Sequence, residues 1–474
     1  MKHFIFCFIF LSNFLFAQQK YEANWKSIDS RPNPVWFEDA KFGIFIHWGL
    51  FSVPAWGPTD RDFKTLVGND WGNRIGMKYA EWYWQRINTP ENKNKFGYKE
   101  FLEHHEKTYG KNFKYQDFTK NFNAEYFDPE QWAEILNNAG AKYIVLTSKH
   151  HEGFTLWPSA QSWNWNAVDV GPHRDILGDL TRSVKNKGIK MGYYYSLYEW
   201  FNPLYKPETI DRYVNEHMIP QMKDLVNNYK PDILWGDGQW EYPSTVWKMP
   251  EFMAWLYNES AVKETIVIND RWGKDTWGEH GGYLTVEYGN LKDKIVDMKT
   301  IQKPWEECKG IGFSFGYNKN ENLEDYANSE QLVHDLISKV AMGGNLLLNI
   351  GPTAEGRIPV IMQQRLADIG KWLSVNGDAI YGTRKWMEAP VVNTASYLYY
   401  TKKGKDLYLI STKFPEKNIV INNIKNTNNV KMLGLKSNIL TSYKNGSLTI
   451  VVPKVTPLNN PNNYAWVFKI ENAL

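Results

Sequence analysis

A chain of 474 residues with 43% hydrophobic side chains exceeds one ordinary domain and can bury a large core with a smaller companion, so two domains are expected. Its 55 Lys and Arg nearly balance its 52 Asp and Glu, leaving a net charge of +3 with the basic residues scattered. That excludes the clustered basic face of a nucleic-acid or anionic-membrane binder. Residues 1–17, MKHFIFCFIFLSNFLFA, place Lys2 and His3 before an apolar stretch ending at Ala17. This is the pattern of a secretory signal peptide, and export to the periplasm or the medium is expected. No later run approaches the roughly 18–20 apolar residues of a membrane span. Cys7 lies in that leader, so Cys308 is the single cysteine after it, expected as a buried small residue and without a disulfide partner.

From there to residue 350 one pattern recurs: a short apolar, β-prone run that stops at a residue able to do chemistry. FGIFIHWG reaches His47, YIVLTSKHHEGF reaches His150 and His151, and KMGYYYSLYEW carries Tyr195. DILWGDGQW ends at Asp237, TIVINDRWG at Asp270 and Arg271, GYLTVEYG at Glu287 and GNLLLNIGPT at Asn349. Helices alternate with these runs. FDPEQWAEILNNAGAKY offers Asp128 as N-cap, Pro129 at the first helical position and Gly140 as a stop, and RDILGDLTRSVKNKGIKMGYYY repeats the arrangement with Gly188. The alternation predicts a parallel sheet, and strands with their polar groups at one end predict a (β/α)8-like (TIM) barrel whose site lies at the C-terminal rim. Residues 88–125 read as a polar excursion from that rim, with a helix in EFLEHHEKTYG.

After the helix in MQQRLADIGKWLSVNGDAIYG the pattern changes to short alternating runs such as DLYLIST and SLTIVVP, with Asn445-Gly446 suited to a type I′ hairpin. The expected division is a barrel over 18–383 and an antiparallel β-sandwich over 384–474. Charges in the sandwich are dispersed, which suits packing rather than catalysis.

Asp237 is the sharpest chemical candidate, a carboxylate at a strand end flanked by Gly236 and Gly238, which let a reacting molecule approach the backbone. Glu287 supplies a second carboxylate at another strand end. Two carboxylates on one rim are the minimum equipment for glycoside hydrolysis, and their mutual repulsion raises one pKa so that a proton is available. The 22 Trp in the chain, many beside strand ends, suit the apolar faces of sugar rings. Adjacent His150 and His151 on a strand would point to opposite sides, and no His-x-x-x-His helix or cysteine cluster completes a coordination sphere, so no metal is expected. His47, His150, His151 and Arg271 are read as hydrogen-bonding groups for substrate hydroxyls. Tyr79, Glu81 and Trp82 in YAEWYW combine an acceptor with aromatic surface. A Gly-x-Ser-x-Gly elbow and a phosphate-binding Gly-rich loop are both missing from the sequence.

WFEDAKFGIFIHWGLFSVPAW, YAEWYW, AKYIVLTSKHHEGFTLWPS, SWNWNAVDVGPHRDILGDL, PDILWGDGQWE, NDRWG, GFSFGYN and GGNLLLNIGPTAEG together resemble the α-L-fucosidase family, glycoside hydrolase family 29, in order and spacing. The resemblance implies a (β/α)8-like barrel followed by a β-sandwich, and exo-hydrolysis of terminal α-L-fucose from fucosylated glycans with retention, through a covalent fucosyl-enzyme and without metal or cofactor. By motif, Asp237 matches the nucleophile. Glu287 matches the acid/base of bacterial members, with Glu306 the runner-up and Glu307 beside it. Tyr288 stands where close animal relatives carry another acid. Sugar-binding roles fall by the same matching on His47, Glu81, Trp82, His150, His151, Tyr195, Trp235, Arg271 and Phe315. Retention places the two carboxyl groups roughly 5–5.5 Å apart. The alternatives are a retaining exo-glycosidase for another sugar and a non-catalytic carbohydrate-binding barrel, which would have lost a carboxylate. The expected partner is a fucosylated substrate, with no nucleic acid and no membrane span, and a homo-oligomer is admitted.

Overall fold

Eight parallel strands make the body of the fold: β1 Phe42–Ile46, β2 Tyr143–Lys149, β3 Lys190–Ser196, β4 Ile233–Asp237, β5 Val267–Ile268, β6 Leu284–Glu287, β7 Trp305–Gly310 and β8 Asn345–Ile350. The computed structural model describes residues 20–59, 79–89, 98–291, 294–295, 301–386 and 397–474, and the expected signal peptide at 1–17 lies outside them. The strands run in the order β5-β4-β3-β2-β1-β8-β7-β6, and the amide of Gly282 donates to the Ile268 carbonyl at 3.1 Å, drawing the two ends of the sheet together. This is the expected TIM-like barrel.

Every position of β1, β2, β4 and β8 is buried, as parallel strands covered on both faces require. Alternation sorts their side chains. Phe45, Val145, Tyr194, Trp235 and Leu347 fill the barrel interior together with Tyr143, whereas Ile44, Leu146, Tyr195 and Leu348 belong to the layer shared with the helices. Gly43 makes room for the interior: a Cβ there would lie 2.3 Å from the ring of Tyr143.

The longer helices are α1 Tyr98–Tyr109, in the excursion after β1, then α2 Pro129–Asn138, α3 Ile176–Asn186, α4 Ile219–Tyr229, α5 Met249–Asn258, α6 Ser329–Ala341 and α7 Val360–Asn376. Asp128 caps α2 by accepting from the amides of Glu130 and Gln131, and Gly140 beyond its end has a φ of 86°. Among the described residues no helix follows β5 or β6; the chain after β5 runs as turns, and after β6 it forms a short antiparallel pair of Asn290–Leu291 with Lys294–Ile295. That departure from strict (β/α) repetition frees the 269–283 segment to deliver Arg271 over the mouth of the barrel.

The C-terminal strands are β9 Arg384–Lys385, β10 Leu398–Lys403, β11 Asp406–Ser411, β12 Ile419–Asn422, β13 Val430–Met432, β14 Thr441–Lys444, β15 Ser447–Ile450 and β16 Trp466–Ile470. They form antiparallel sheets in the orders β9-β10-β11-β16-β13 and β12-β15-β14. Leu407, Leu409 and Phe468 of one sheet share an apolar cluster with Ile421, Leu448 and Ile450 of the other, which makes the pair a sandwich. Asn445 (φ 50°) and Gly446 (φ 79°) turn β14 into β15. The sandwich rests on α7 and the turn after it, where Trp372 Nε1 donates to the Ala465 carbonyl at 3.0 Å and Asp378 accepts from the Tyr408 hydroxyl at 2.7 Å.

Two buried carboxyl groups stiffen the β7 side. Glu321 accepts from the amides of Phe313 (3.1 Å) and Ser314 (2.8 Å), pinning the loop after β7, and Glu306 inside the barrel accepts from the Tyr143 hydroxyl and from Trp235 Nε1. Burial pushes Glu306 up to about 7 and Glu321 up to about 8. Between about pH 7 and 8 the native state therefore keeps protons that an unfolded glutamate, with a pKa of about 4.3, has released, and stability falls as pH rises. Thermal unfolding across this window should show a falling midpoint and a flatter slope for Glu321→Gln. A midpoint that rises, or a slope unchanged in the variant, contradicts this account.

Candidate active site

A cavity of about 410 Å³ opens at the C-terminal ends of the strands. His47, Glu81, Trp82, His150, His151 and Phe315 line it, as do Trp235, Asp237, Arg271 and Glu287. Asp237 is the last residue of β4, Glu287 the last of β6, and Arg271 stands three residues past β5, between them in the sheet. The apolar strand sequences set these positions, because each run must end where the barrel does.

Arg271 joins the two carboxylates. Its Nη1 donates to Asp237 Oδ1 and its Nη2 to Glu287 Oε2, each at 3.0 Å, while Nε donates to Thr285 Oγ1 at 2.8 Å. The Thr285 hydroxyl in turn donates a hydrogen bond to Asp270 Oδ1 at 2.6 Å, and Asp270 also accepts from the amides of Thr285 and Gly278. The guanidinium lies between the rings of Trp235 (4.8 Å) and Trp277 (5.0 Å). Burial works against its charge, but the carboxylates of Glu287 and Asp237 outweigh burial and raise its pKa. Asp237 receives a further bond from the Tyr194 hydroxyl, at 2.9 Å.

His47 and His151 are fixed as neutral acceptors. Asn349 Nδ2 donates to the Phe315 carbonyl at 2.7 Å, so its Oδ1 is left to accept from His47 Nδ1, also at 2.7 Å, and Nε2 of His47 carries the lone pair. Ser196 gives its one hydroxyl proton to the Tyr198 carbonyl at 2.6 Å and accepts from His151 Nδ1 at 2.6 Å, leaving His151 Nε2 as an acceptor 3.9 Å from Asp237 Oδ2. Burial, reinforced by the nearby ring of His150, holds both histidines well below the usual pKa. His150 Nδ1 meets Glu152 Oε2 at 3.2 Å. Glu81 accepts from the Gly316 amide at 2.9 Å, and burial pushes it up to about 7 against that bond.

Three sequence expectations are corrected by this geometry. Tyr195 does not reach the cavity: strand alternation turns it outward, where its hydroxyl donates to Gln221 Oε1 at 2.8 Å, and Tyr194 takes the interior place. Glu306 faces inward but two residues deeper than Cys308, level with Thr285, and Trp235 closes over it, so it lies below the cavity floor. Glu307, on the opposite face of β7, pairs with Lys339 at 2.7 Å. His150 and His151 do not point to opposite sides. The register of β2 shifts between Thr147 and Lys149, the strand ends at Lys149, and both imidazoles line the cavity with ring centres 4.1 Å apart.

Phe45, Gln85, Arg86 and Tyr98 also line the cavity, as do Trp240, Trp277 and Cys308, none of which the sequence reading assigned to the site. Phe45 and Tyr194 share their inward phase with Trp235 and could have been found by carrying that phase along the strands. Gln85 and Arg86 directly follow YAEWYW and could have been found by extending that segment, whereas Tyr98 comes from the excursion over 88–125 and carries no local signal of its destination. Cys308 is buried, as expected, level with Glu287. Among the described residues no group of three or more His, Cys, Asp or Glu is placed to hold a metal ion.

A family profile described as Alpha-L-fucosidase matches residues 9–378, and one described as Alpha-L-fucosidase C-terminal domain matches residues 393–471. The chain is 41% identical over 464 residues to tissue alpha-L-fucosidase of Homo sapiens, covering 95% of this chain and 92% of the relative. It is 42% identical over 490 residues to an alpha-L-fucosidase of Dictyostelium discoideum, covering 100% of both. Among solved structures, Thermotoga maritima alpha-fucosidase in complex with fucose superposes with a TM-score of 0.75 at 33% identity, covering 95% of this chain and 100% of that one. With two carboxylates converging on one cavity and family matches across nearly the whole chain, the protein belongs to the alpha-L-fucosidase family and is a glycoside hydrolase.

Proposed function

We propose that this glycoside hydrolase is an exo-acting α-L-fucosidase that releases terminal α-L-fucose from fucosylated glycans with retention, Asp237 acting as nucleophile and Glu287 as acid/base. The observation that carries the reading is the pair Asp237 and Glu287, held in one cavity by a single guanidinium. In the first step Glu287 protonates the leaving oxygen while Asp237 attacks the anomeric carbon. In the second, Glu287 takes a proton from water, which cleaves the fucosyl ester. One negative charge sits on the two carboxyl groups at each stage, first on Asp237 and then on Glu287, so the Arg271 cation is matched throughout the cycle. The neutral acceptors His47 and His151, with Glu81, suit sugar hydroxyls. Trp82, Trp235 and Phe315 offer the apolar wall that a deoxy sugar's methyl group needs. The same reading takes 1–17 as an export signal, with the barrel ending near 383, and the protein acting outside the cytoplasm.

The substrate assignment is tested by comparing aryl α-L-fucoside with other aryl glycosides; hydrolysis without preference for the fucoside overturns it. Asp237→Gly should lose turnover by at least about 10⁴-fold, on the scale of losing a covalent nucleophile, and azide should restore part of it as a fucosyl azide. Parental activity in that variant refutes the nucleophile. For Glu287→Ala, aryl fucosides with good leaving groups should lose less rate than natural glycans, because little protonation of the leaving oxygen is needed. Equal losses on both substrates would remove Glu287 from the acid role.

A further inference from the structure

At the end of β3 the chain leaves regular structure, yet the five residues Ser196–Trp200 fix two positions in the site. Ser196 Oγ sets the tautomer of His151, the Trp200 amide donates to the His151 carbonyl at 2.7 Å, and the Leu197 amide donates to the Asp237 carbonyl at 2.8 Å. Tyr198 packs against the turn after Asp237 so closely that a Cβ on Gly238 would lie 2.6 Å from its own Cβ. The ladder pairing ends at Ser196, and beyond the Leu197 amide no sheet hydrogen bond holds this segment in place.

What holds it is a side chain pointing away from the cavity. Glu199, 3% exposed, takes Lys149 Nζ at 2.5 Å and the Tyr213 hydroxyl at 3.1 Å on Oε2, with His217 Nε2 3.4 Å away. Lys149 is fully buried and immediately precedes His150 and His151. The Tyr213 hydroxyl also lies 3.1 Å from the Leu197 carbonyl, its one proton shared between that oxygen and Glu199, and a π-helical turn over Tyr213–Met218 presents both Tyr213 and His217 to the same carboxylate. On the remaining side, Gly153 (φ 77°) approaches so closely that an added Cβ would sit 2.6 Å from Glu199 Oε1. Burial opposes the charge on Glu199, but Lys149 and His217 overcome it and draw the pKa down to about 2. A buried ion pair contributes little stability relative to apolar side chains of the same volume, so its place in the fold is better explained by the geometry it enforces.

We infer that Glu199, with Lys149 as its counter-ion, is a positioning residue for hydrolysis, pegging the exits of β2 and β3 together so that His151 and Asp237 face the reacting carbon at fixed distance. The inference rests on Asp237 being the nucleophile. A displacement of about 1 Å at such a site costs on the order of 10²-fold in rate.

The test measures kcat, KM and thermal midpoint on an aryl α-L-fucoside for Glu199→Gln and for Lys149→Met/Glu199→Met. Glu199→Gln should lose about 10²-fold in kcat with KM held within about threefold. The double variant, which strands no charge, should regain most of the lost midpoint without regaining kcat. Turnover that recovers in step with the midpoint, or parental kcat in Glu199→Gln, overturns the positioning role. Should Glu199→Gln fail to fold, Tyr213→Phe removes the hydroxyl shared by Glu199 and Leu197 without burying a lone charge. It should lose about tenfold in kcat, and an unchanged rate there overturns the role as well. A parent protein inactive on the fucoside sinks the nucleophile reading instead, whereas variants as fast as an active parent sink only the positioning.

Discussion

The bidentate contact of Arg271 with Asp237 and Glu287 is the constraint around which the site is arranged. Two carboxylates in a largely buried cavity repel one another, and a barrel that brings them together without a cation would have to protonate one or splay them apart. One guanidinium, set over the rings of two tryptophans and braced through Thr285 to Asp270, holds the two groups at one mouth and matches the single negative charge they share during the reaction. Its rigid fork also sets where the two acids sit relative to each other, something a lysine at the same place could not do. The loop that carries it replaces the helix expected after β5, so the irregularity of the barrel and the chemistry of its mouth have one cause.

Around that cluster the cavity wall is built from polar groups whose protons are already committed. His47 and His151 each spend one ring nitrogen on a partner behind them, Asn349 and Ser196, and present the other as a lone pair. Burial keeps both rings uncharged, so they add acceptors without adding cations that would compete with Arg271. Glu81 is tied to the loop after β7 through the Gly316 amide, and that loop is pinned in turn by Glu321. The C-terminal sandwich takes no part in the lining; it covers α7 and part of the outer layer.

Much of this was legible in the amino-acid sequence. Strands buried on both faces leave continuous apolar runs, caps such as Asp128 and stops such as Gly140 mark the helices between them, and the first residue past an apolar run is where a barrel exposes chemistry. Those local rules determined the fold class, the sandwich and its Asn445-Gly446 turn, and the arrival of His47, His150, His151, Asp237, Arg271 and Glu287 at one rim; Glu81 and Trp82 were read from YAEWYW, and Trp235 and Phe315 only from the family resemblance. Only the tertiary structure decided which side of a strand a residue takes once its register shifts, as it does before His150, and how deep along a strand it lies. Tyr194 in place of Tyr195, and Glu306 beneath the floor while Glu287 stands above it, are decisions of phase and depth. The physical reason is that sequence periodicity records the alternation within one strand, whereas phase and depth are set by hydrogen bonding between strands far apart in the chain, which no single segment encodes.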